Sequence, residues 1–231
     1  MREIISIIKK DLRESILLNP LQLIIAFAIM IFIFYSLTNL NLLKSFPGIQ
    51  KIFIVFETLP ILILVSLNSL MEIFYKEKMK RGFEAIMATG VSIEKIWIGK
   101  SLAIAAPMYT IYLISFFTAL LLRSSSFILK EPGLLVEAII VVPFLAFSFI
   151  LLIGISFMVS EKGRTIITGV FYFFFVLLFF SNFLMKKLAL LLKTSQATFN
   201  LLIFLLATIL IAVATVWIKN VDTEKIILRV E

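Results

Sequence analysis

Long runs of apolar residues, separated by short charged segments, dominate the pattern of this chain. A helix needs about 20 mostly apolar residues to cross a bilayer core about 30 Å thick. Five uncharged runs reach that length, and a sixth contains a single charge, Glu57. The six predicted spans are residues 15–43, 52–71, 101–122, 138–160, 165–185 and 194–218. The pattern therefore predicts an all-α membrane protein, with six transmembrane helices in a single domain covering residues 1–231.

Residues 1–19 show the period of an amphipathic helix. Apolar side chains recur at spacings of three and four, and charged ones fill the remaining face. The apolar positions are Ile4, Ile5, Ile8, Leu12 and Ile16. We expect an interfacial helix that ends before Pro20, because the residue preceding a proline is displaced from the helical conformation. The pattern leaves open the alternative that the first span simply begins early.

Composition excludes the soluble and most of the enzymatic classes. The chain is 61% apolar and 16% charged, with a mean hydropathy of +1.12, whereas soluble domains are about 45–50% apolar and about 25% charged. It contains no cysteine and no histidine, so the usual nucleophile, general base and metal ligands are missing. We expect no catalytic residue, no metal and no cofactor.

The net charge of +8 is interpreted from its distribution over the segments between spans, because basic residues collect on the cytoplasmic side of membrane proteins. With the N-terminus inside, 15 of the 22 lysines and arginines fall in cytoplasmic segments. The distribution favours a cell membrane protein with both termini in the cytoplasm, and nucleic acid is not an expected partner.

Residues 76–90, between the second and third predicted spans, form the longest and most charged inner segment. Phe83, Ile86 and Met87 recur at helical spacing, and Gly90 is a suitable helix stop. Ser92 is suited to begin the next span. The pattern predicts a short amphipathic helix followed by a tight turn. Either a protein partner or the anionic lipid of the inner leaflet would satisfy its charges.

The residues of this segment resemble the signature loop of the permease subunits of type-2 ABC exporters. The matching positions are Glu77, Lys80, Arg81, Gly82, Glu84, the turn at residues 88–92, and Gly99-Lys100. The chain departs from the pattern in three places: Phe83 is usually threonine, Gly90 is usually proline, and the stretch between Gly82 and the turn is one residue short.

The resemblance implies a coupling helix that docks on a separate cytosolic ABC ATPase. Two permease copies and two ATPase copies would form an exporter in the plasma membrane of a prokaryote. The implied coupling residues are Glu77, Lys80, Arg81, Gly82, Phe83, Glu84 and Met87.

Gly99-Lys100-Ser101 has the ending of a phosphate-binding P-loop, but the rest of the motif is absent. The required earlier glycine is replaced by Glu94, and the segment opens a membrane helix instead of following a strand. The chain is therefore expected to be a transport subunit without its own nucleotide site.

Charged residues within membrane spans require a structural or functional explanation, since inserting a charged side chain at the bilayer centre costs roughly 2.5–3.5 kcal/mol on insertion scales. Glu57 and Thr58 are the candidates for a translocation path, although hydration near the headgroups would equally explain Glu57. We expect Glu72 and Glu137 to be hydrated near the membrane surfaces. Residues 181–195 form an amphipathic segment at the outer surface.

Other interpretations remain open from the residues. A haem-export permease of cytochrome c assembly has a similar layout and inner loop. An ATP-independent six-helix carrier or scaffold would require polar residues converging at mid-membrane, of which the chain offers few. An intramembrane enzyme is disfavoured by the lack of histidine, cysteine and paired carboxylates.

Overall fold

A computed structural model describes residues 2–18, 23–25, 27–32, 47–123, 132–160, 165–176, 196–221 and 226. Every regular element within these ranges is a helix. Four helices are long and apolar enough to cross a membrane, namely Thr58–Met79, Ile93–Ala119, Glu137–Val159 and Ala197–Lys219. The all-helical class is confirmed, with four candidate spans among the described residues.

The helices follow in chain order. They are α1 (Arg2–Leu18), α2 (Leu23–Phe32), α3 (Pro47–Leu70), α4 (Gly82–Met87), α5 (Ile93–Arg123), α6 (Pro132–Val136), α7 (Thr165–Val176) and α8 (Gln196–Lys219). Two helices continue through a stretch of π-helix: α3 through Met71–Lys76 to Glu77–Met79, and α6 through Glu137–Val141 to Val142–Val159. The shorter helices α2 and α7 lie within the first and fifth predicted spans.

The core lies where α6 packs against α3, α5 and α8. Helices in lipid associate through close packing and interhelical hydrogen bonds, because the acyl chains are as apolar as the side chains. Trp97 of α5 is buried and donates a 3.0 Å hydrogen bond from Nε1 to the backbone oxygen of Leu151 in α6. The rings of Phe144 and Phe204 stack at 4.8 Å between α6 and α8. These contacts hold α6 at the centre of the described bundle.

Ile166, Ile167 and Val170 of the aromatic-rich α7 pack against the core, together with one of its aromatic rings. Phe174 is buried and meets Phe149 of α6 edge-on, with ring centroids 5.5 Å apart. Its neighbours Tyr172, Phe173 and Phe175 are exposed. Most of this aromatic surface is therefore directed away from the described core.

The N-terminal helix α1 has nearly the predicted bounds and lies along α5. Its buried residues are Ile7 and Asp11, while Ile5 of the predicted apolar stripe is 58% exposed. A helix turns about 100° per residue, so Ile7 and Asp11 flank the stripe instead of lying at its centre. One side of α1 thus packs on protein, while Ile5 of the stripe is exposed and Ile8 and Leu12 are half-buried.

Residues 76–90 form two helical pieces separated by a sharp turn. The extension of α3 ends at Met79, and α4 begins at Gly82. Arg81 between them has a left-handed backbone, with φ of 58°. Gly90, also left-handed with φ of 83°, follows the end of α4, and α5 begins directly after Ser92. The predicted helix stop and restart are confirmed.

Two of the sequence predictions fall outside the described residues. They are the outer amphipathic segment 181–195 and the chain break at Asn19-Pro20. The backbone of Glu57 lies in α3, but its side chain is outside the described set.

Gly154 of α6 provides a test of the packing between α6 and α3. A Cβ at this position would lie 3.0 Å from the ring of Phe74, whereas a Cβ at Gly169 of α7 would meet no atom within 4 Å. We expect Gly154→Leu to lower the free energy of unfolding by about 1–3 kcal/mol through overpacking. Gly169→Leu is the matched control and should leave the melting temperature in detergent unchanged. Equal melting temperatures for the two variants would contradict this packing.

Candidate functional site

A buried lysine lies near the start of α5. The side chain of Lys100 is fully buried, and its Nζ lies 3.0 Å from Oδ2 of Asp11 in α1. The same ammonium contacts Oε2 of Glu77, while Lys10 Nζ lies 2.8 Å from Oε1 of Glu77. We call these four residues the Lys100 cluster. It joins α1, the end of α3 and the start of α5.

The π-helical stretch of α3 precedes Glu77 directly. A π-bulge inserts one extra residue, which turns the following side chains by about 100° relative to a regular helix. Ile73 and Phe74 within the stretch are buried in the core. Glu77 follows them and faces α1 and α5, while Lys76 pairs with Glu72 at the more exposed edge. The π-helical turn thus places Ile73 and Phe74 in the core and Glu77 in the Lys100 cluster.

The start of α4 packs on the Lys100 cluster. A Cβ at Gly82 would lie 2.5 Å from Cγ of Glu77 and 3.2 Å from its backbone oxygen, so no side chain fits there. Phe83 is buried, and its ring centroid lies 5.5 Å from Lys100 Nζ. At this distance the face of an aromatic ring attracts a cation. Gly82 and Phe83 therefore attach α4 to the cluster.

Within the Lys100 cluster, the buried charge of Asp11 is only partly compensated by its neighbours. Burial raises the pKa of the Asp11 carboxyl above its usual value, and the attraction of the Lys100 ammonium only partly opposes that rise. Removing one member of a buried ion pair is strongly destabilising, because it leaves the other charge without compensation. The three joined helices are consequently constrained to keep their relative positions.

The structure divides the implied coupling residues into three groups. Glu77, Gly82 and Phe83 face inward, toward the Lys100 cluster. Lys80 and Arg81 are exposed at the turn. Glu84 and Met87 are half-buried, and Met87 packs against the chain's own core. The apolar face of α4 is therefore covered by this chain, and the basic turn is what it exposes.

Sequence reasoning missed Asp11 entirely and treated Lys100 as a basic residue of the inner loop. Both are among the most deeply buried charged residues in the described part of the chain. One signal was present: a lysine within a membrane helix needs a partner of opposite charge. That rule does not say where on the chain the partner lies.

A second buried polar group lies toward the other end of the bundle. Thr58, Tyr112 and Glu137 are all fully buried, and the Tyr112 hydroxyl interacts with Thr58 and Glu137. Thr58, a candidate for the translocation path, thus faces a neighbouring helix. The expectation that Glu137 is hydrated was wrong. Because α6 begins at Pro132, Glu137 lies more than one turn into the helix and inside the bundle.

Glu72 has a more accessible position. Its side chain is 30% exposed and forms an ion pair with Lys76 one turn later. The side chain of Glu72 is thus partly accessible, and its hydration near a membrane surface stays a prediction.

Among the residues that the structure describes, no three acidic side chains come together in a way that could hold a metal ion. Comparison with protein-family models, curated proteins and solved structures finds no match to this chain.

The Lys100 cluster predicts a large effect of one substitution. We expect Lys100→Met to reduce the free energy of unfolding by about 3–5 kcal/mol, because Asp11 loses its buried cation. Adding Asp11→Leu should recover part of the loss, since the two residues interact directly. The measurement is denaturant or thermal unfolding in detergent micelles.

Lys9→Met is the matched control, because Lys9 is an exposed lysine on α1. It should leave stability unchanged. Equal stability of Lys100→Met and Lys9→Met, or strictly additive effects of Lys100→Met and Asp11→Leu, would contradict the cluster as a stabilising unit.

Proposed function

We propose that this chain is the membrane-spanning subunit of an ATP-driven ABC exporter. In this proposal two copies form the translocation path, and each couples to a separate cytosolic ATPase. The assembly lies in the plasma membrane of a prokaryote, with both termini in the cytoplasm. The observation that carries the proposal is the Lys100 cluster, which attaches the segment resembling a coupling helix to both α1 and α5.

A motor can change the membrane domain only through contacts whose free energy differs between two states. The segment from Lys80 to Gly90 follows the end of α3, and its basic turn is exposed. Behind that turn, Glu77 is held by Lys10 and Lys100. A displacement of the turn would therefore act on the inner ends of α1, α3 and α5 together. This is the mechanical arrangement that coupling to an external ATPase requires.

The proposal includes six spans. The helices α2 and α7 supply the described portions of the first and fifth spans, alongside the four longer helices. Six spans place the charged α4 segment on the same side as both termini. That side is the cytoplasm according to the distribution of lysine and arginine.

An ATP-independent carrier fits the described charges less well. Such carriers bind ions and substrates near the bilayer midplane. In the described candidate spans, the buried carboxylate and ammonium groups are Lys78 at the end of α3, Lys100 near the start of α5 and Glu137 near the start of α6. Because α5 and α6 run antiparallel, the lysines and Glu137 lie toward opposite ends of the bundle. Such positions favour structural or coupling roles over a central ion site.

The decisive test is purification of the affinity-tagged chain from membranes of its own organism. We expect a separate polypeptide with a P-loop and ATPase activity to co-purify. Arg81→Glu should reduce recovery of that polypeptide about tenfold or more, because it reverses a charge on the exposed turn. Quantitative mass spectrometry of the purified complex gives the ratio.

Lys219→Glu is the matched control, since Lys219 is an exposed basic residue at the inner end of α8 under the proposed topology. It should leave recovery of the ATPase unchanged. Absence of any ATPase from the wild-type preparation, or equal recovery with both variants, would refute the coupling assignment.

Orientation has an independent test, which the absence of cysteine makes simple. A membrane-impermeant maleimide applied to intact cells should label Ser125→Cys, in the segment between α5 and α6, and fail to label Lys80→Cys. Labelling of both after membrane disruption shows that each thiol is reactive. The reverse pattern in intact cells would overturn the proposed topology.

A further inference from the structure

A cavity of about 370 Å³ lies between α3, α5 and α6, away from the Lys100 cluster. Its volume lies within the range of about 300–1,000 Å³ that is typical of ligand pockets. The floor is formed by buried side chains from all three helices, including Leu62, Met108, Ala146 and Ile150. The cavity therefore extends into the interior of the described bundle.

The mouth of the cavity lies on the outer faces of two candidate membrane spans. Leu102 and Tyr109 of α5 line it and are 37% and 38% exposed, and Ile140 of α6 is 53% exposed. Ala106, between the two α5 residues, is exposed as well. Because the surroundings of such helices are hydrocarbon, the cavity formed by the described residues opens sideways into the bilayer.

A proline in α6 changes the hydrogen bonding at the mouth of the cavity. Pro143 has no N–H, so the backbone oxygen of Ile139 one turn earlier lacks its usual helical donor. The hydroxyl of Tyr109 donates to that oxygen across the mouth, at 3.2 Å. The hydrogen bond joins α5 to α6 at the rim, while the small side chains of Ala105 and Ala146 leave space behind it.

The lining contains no charged side chain, and its two polar side chains are tyrosines that are already engaged. Tyr109 bonds to Ile139, and the Tyr112 hydroxyl interacts with Thr58. A ligand headgroup would find no ionic partner inside. A hydrocarbon chain needs none, and it would restore the packing contacts that the wall atoms of a void lack.

We infer that this cavity binds a single acyl chain, which enters laterally from the bilayer. The inference requires only that α5 and α6 lie in the membrane, and it is independent of any ATPase. A phospholipid and a free fatty acid are the two sources of such a chain, and both present the same methylene groups to the wall.

Photo-crosslinking of the full-length protein tests the inference directly. The protein is reconstituted in phosphatidylethanolamine–phosphatidylglycerol vesicles doped with a phospholipid that carries a diazirine on one acyl chain. A parallel sample contains a diazirine fatty acid instead. After irradiation, peptide mass spectrometry locates the adducts. The arm that labels the cavity identifies the source of the chain.

We expect adducts on Met108 and Ile150, which are buried and line the cavity. Ile155 and Phe157, equally buried but outside it, should carry none. Ala106→Phe fills the mouth and should lower cavity labelling about tenfold, because excluding even two methylene groups removes that much affinity. Ala212→Phe is the matched control on an exposed position of α8 and should leave labelling unchanged.

Two results would overturn the inference: no enrichment on the floor residues over Ile155 and Phe157 in both arms, or equal labelling of the floor in Ala106→Phe and Ala212→Phe. Ala105→Leu is a second occluding variant, used if Ala106→Phe fails to give a monodisperse protein. The melting temperature of each variant confirms that it is folded.

Discussion

The relative arrangement of α1, the end of α3 and the start of α5 depends on one buried ammonium. Lys100 has no exposed surface, and a charge removed from water requires compensation by nearby opposite charge. The compensation comes from Asp11 on the N-terminal helix and from Glu77 at the end of α3. Since these helices are far apart along the chain, the ion pairs set their relative positions. The close approach of Gly82 and the ring of Phe83 then attach the short helix α4 to the same point.

This arrangement determines which surface of α4 is buried and which is exposed. It is six residues long and too short to be stable as an isolated helix. Its apolar side is used in packing on the chain's own core, so it presents a basic turn and not an apolar groove-binding face. A short, externally charged element on a firmly held base is suited to transmitting displacement. The cavity between α3, α5 and α6 has the opposite chemistry, since its lining is apolar and contains no charged side chain.

Features set by neighbouring residues could be predicted from the sequence. The period of residues 1–19 predicted α1, and Gly90 and Ser92 predicted the end of one helix and the start of the next. Features that depend on residues far apart in the sequence could not be predicted. Asp11 and Lys100 are 89 positions apart, and nothing local in either segment indicates the pairing. The burial of Glu137 also escaped prediction, because it depends on where α6 begins and on its π-helical turn. The attachment of α4 to a motor remains a prediction.

The central claim is that Lys100 holds α4 in a defined position relative to α1. Pulsed electron paramagnetic resonance measures this directly, with spin labels on Lys9→Cys and Ala85→Cys, both exposed positions, in the otherwise cysteine-free chain in lipid nanodiscs. The account predicts a single narrow distance distribution that becomes broad when Lys100→Met is added. A distribution that is already broad with Lys100 present, or that is unchanged by its replacement, would contradict the account.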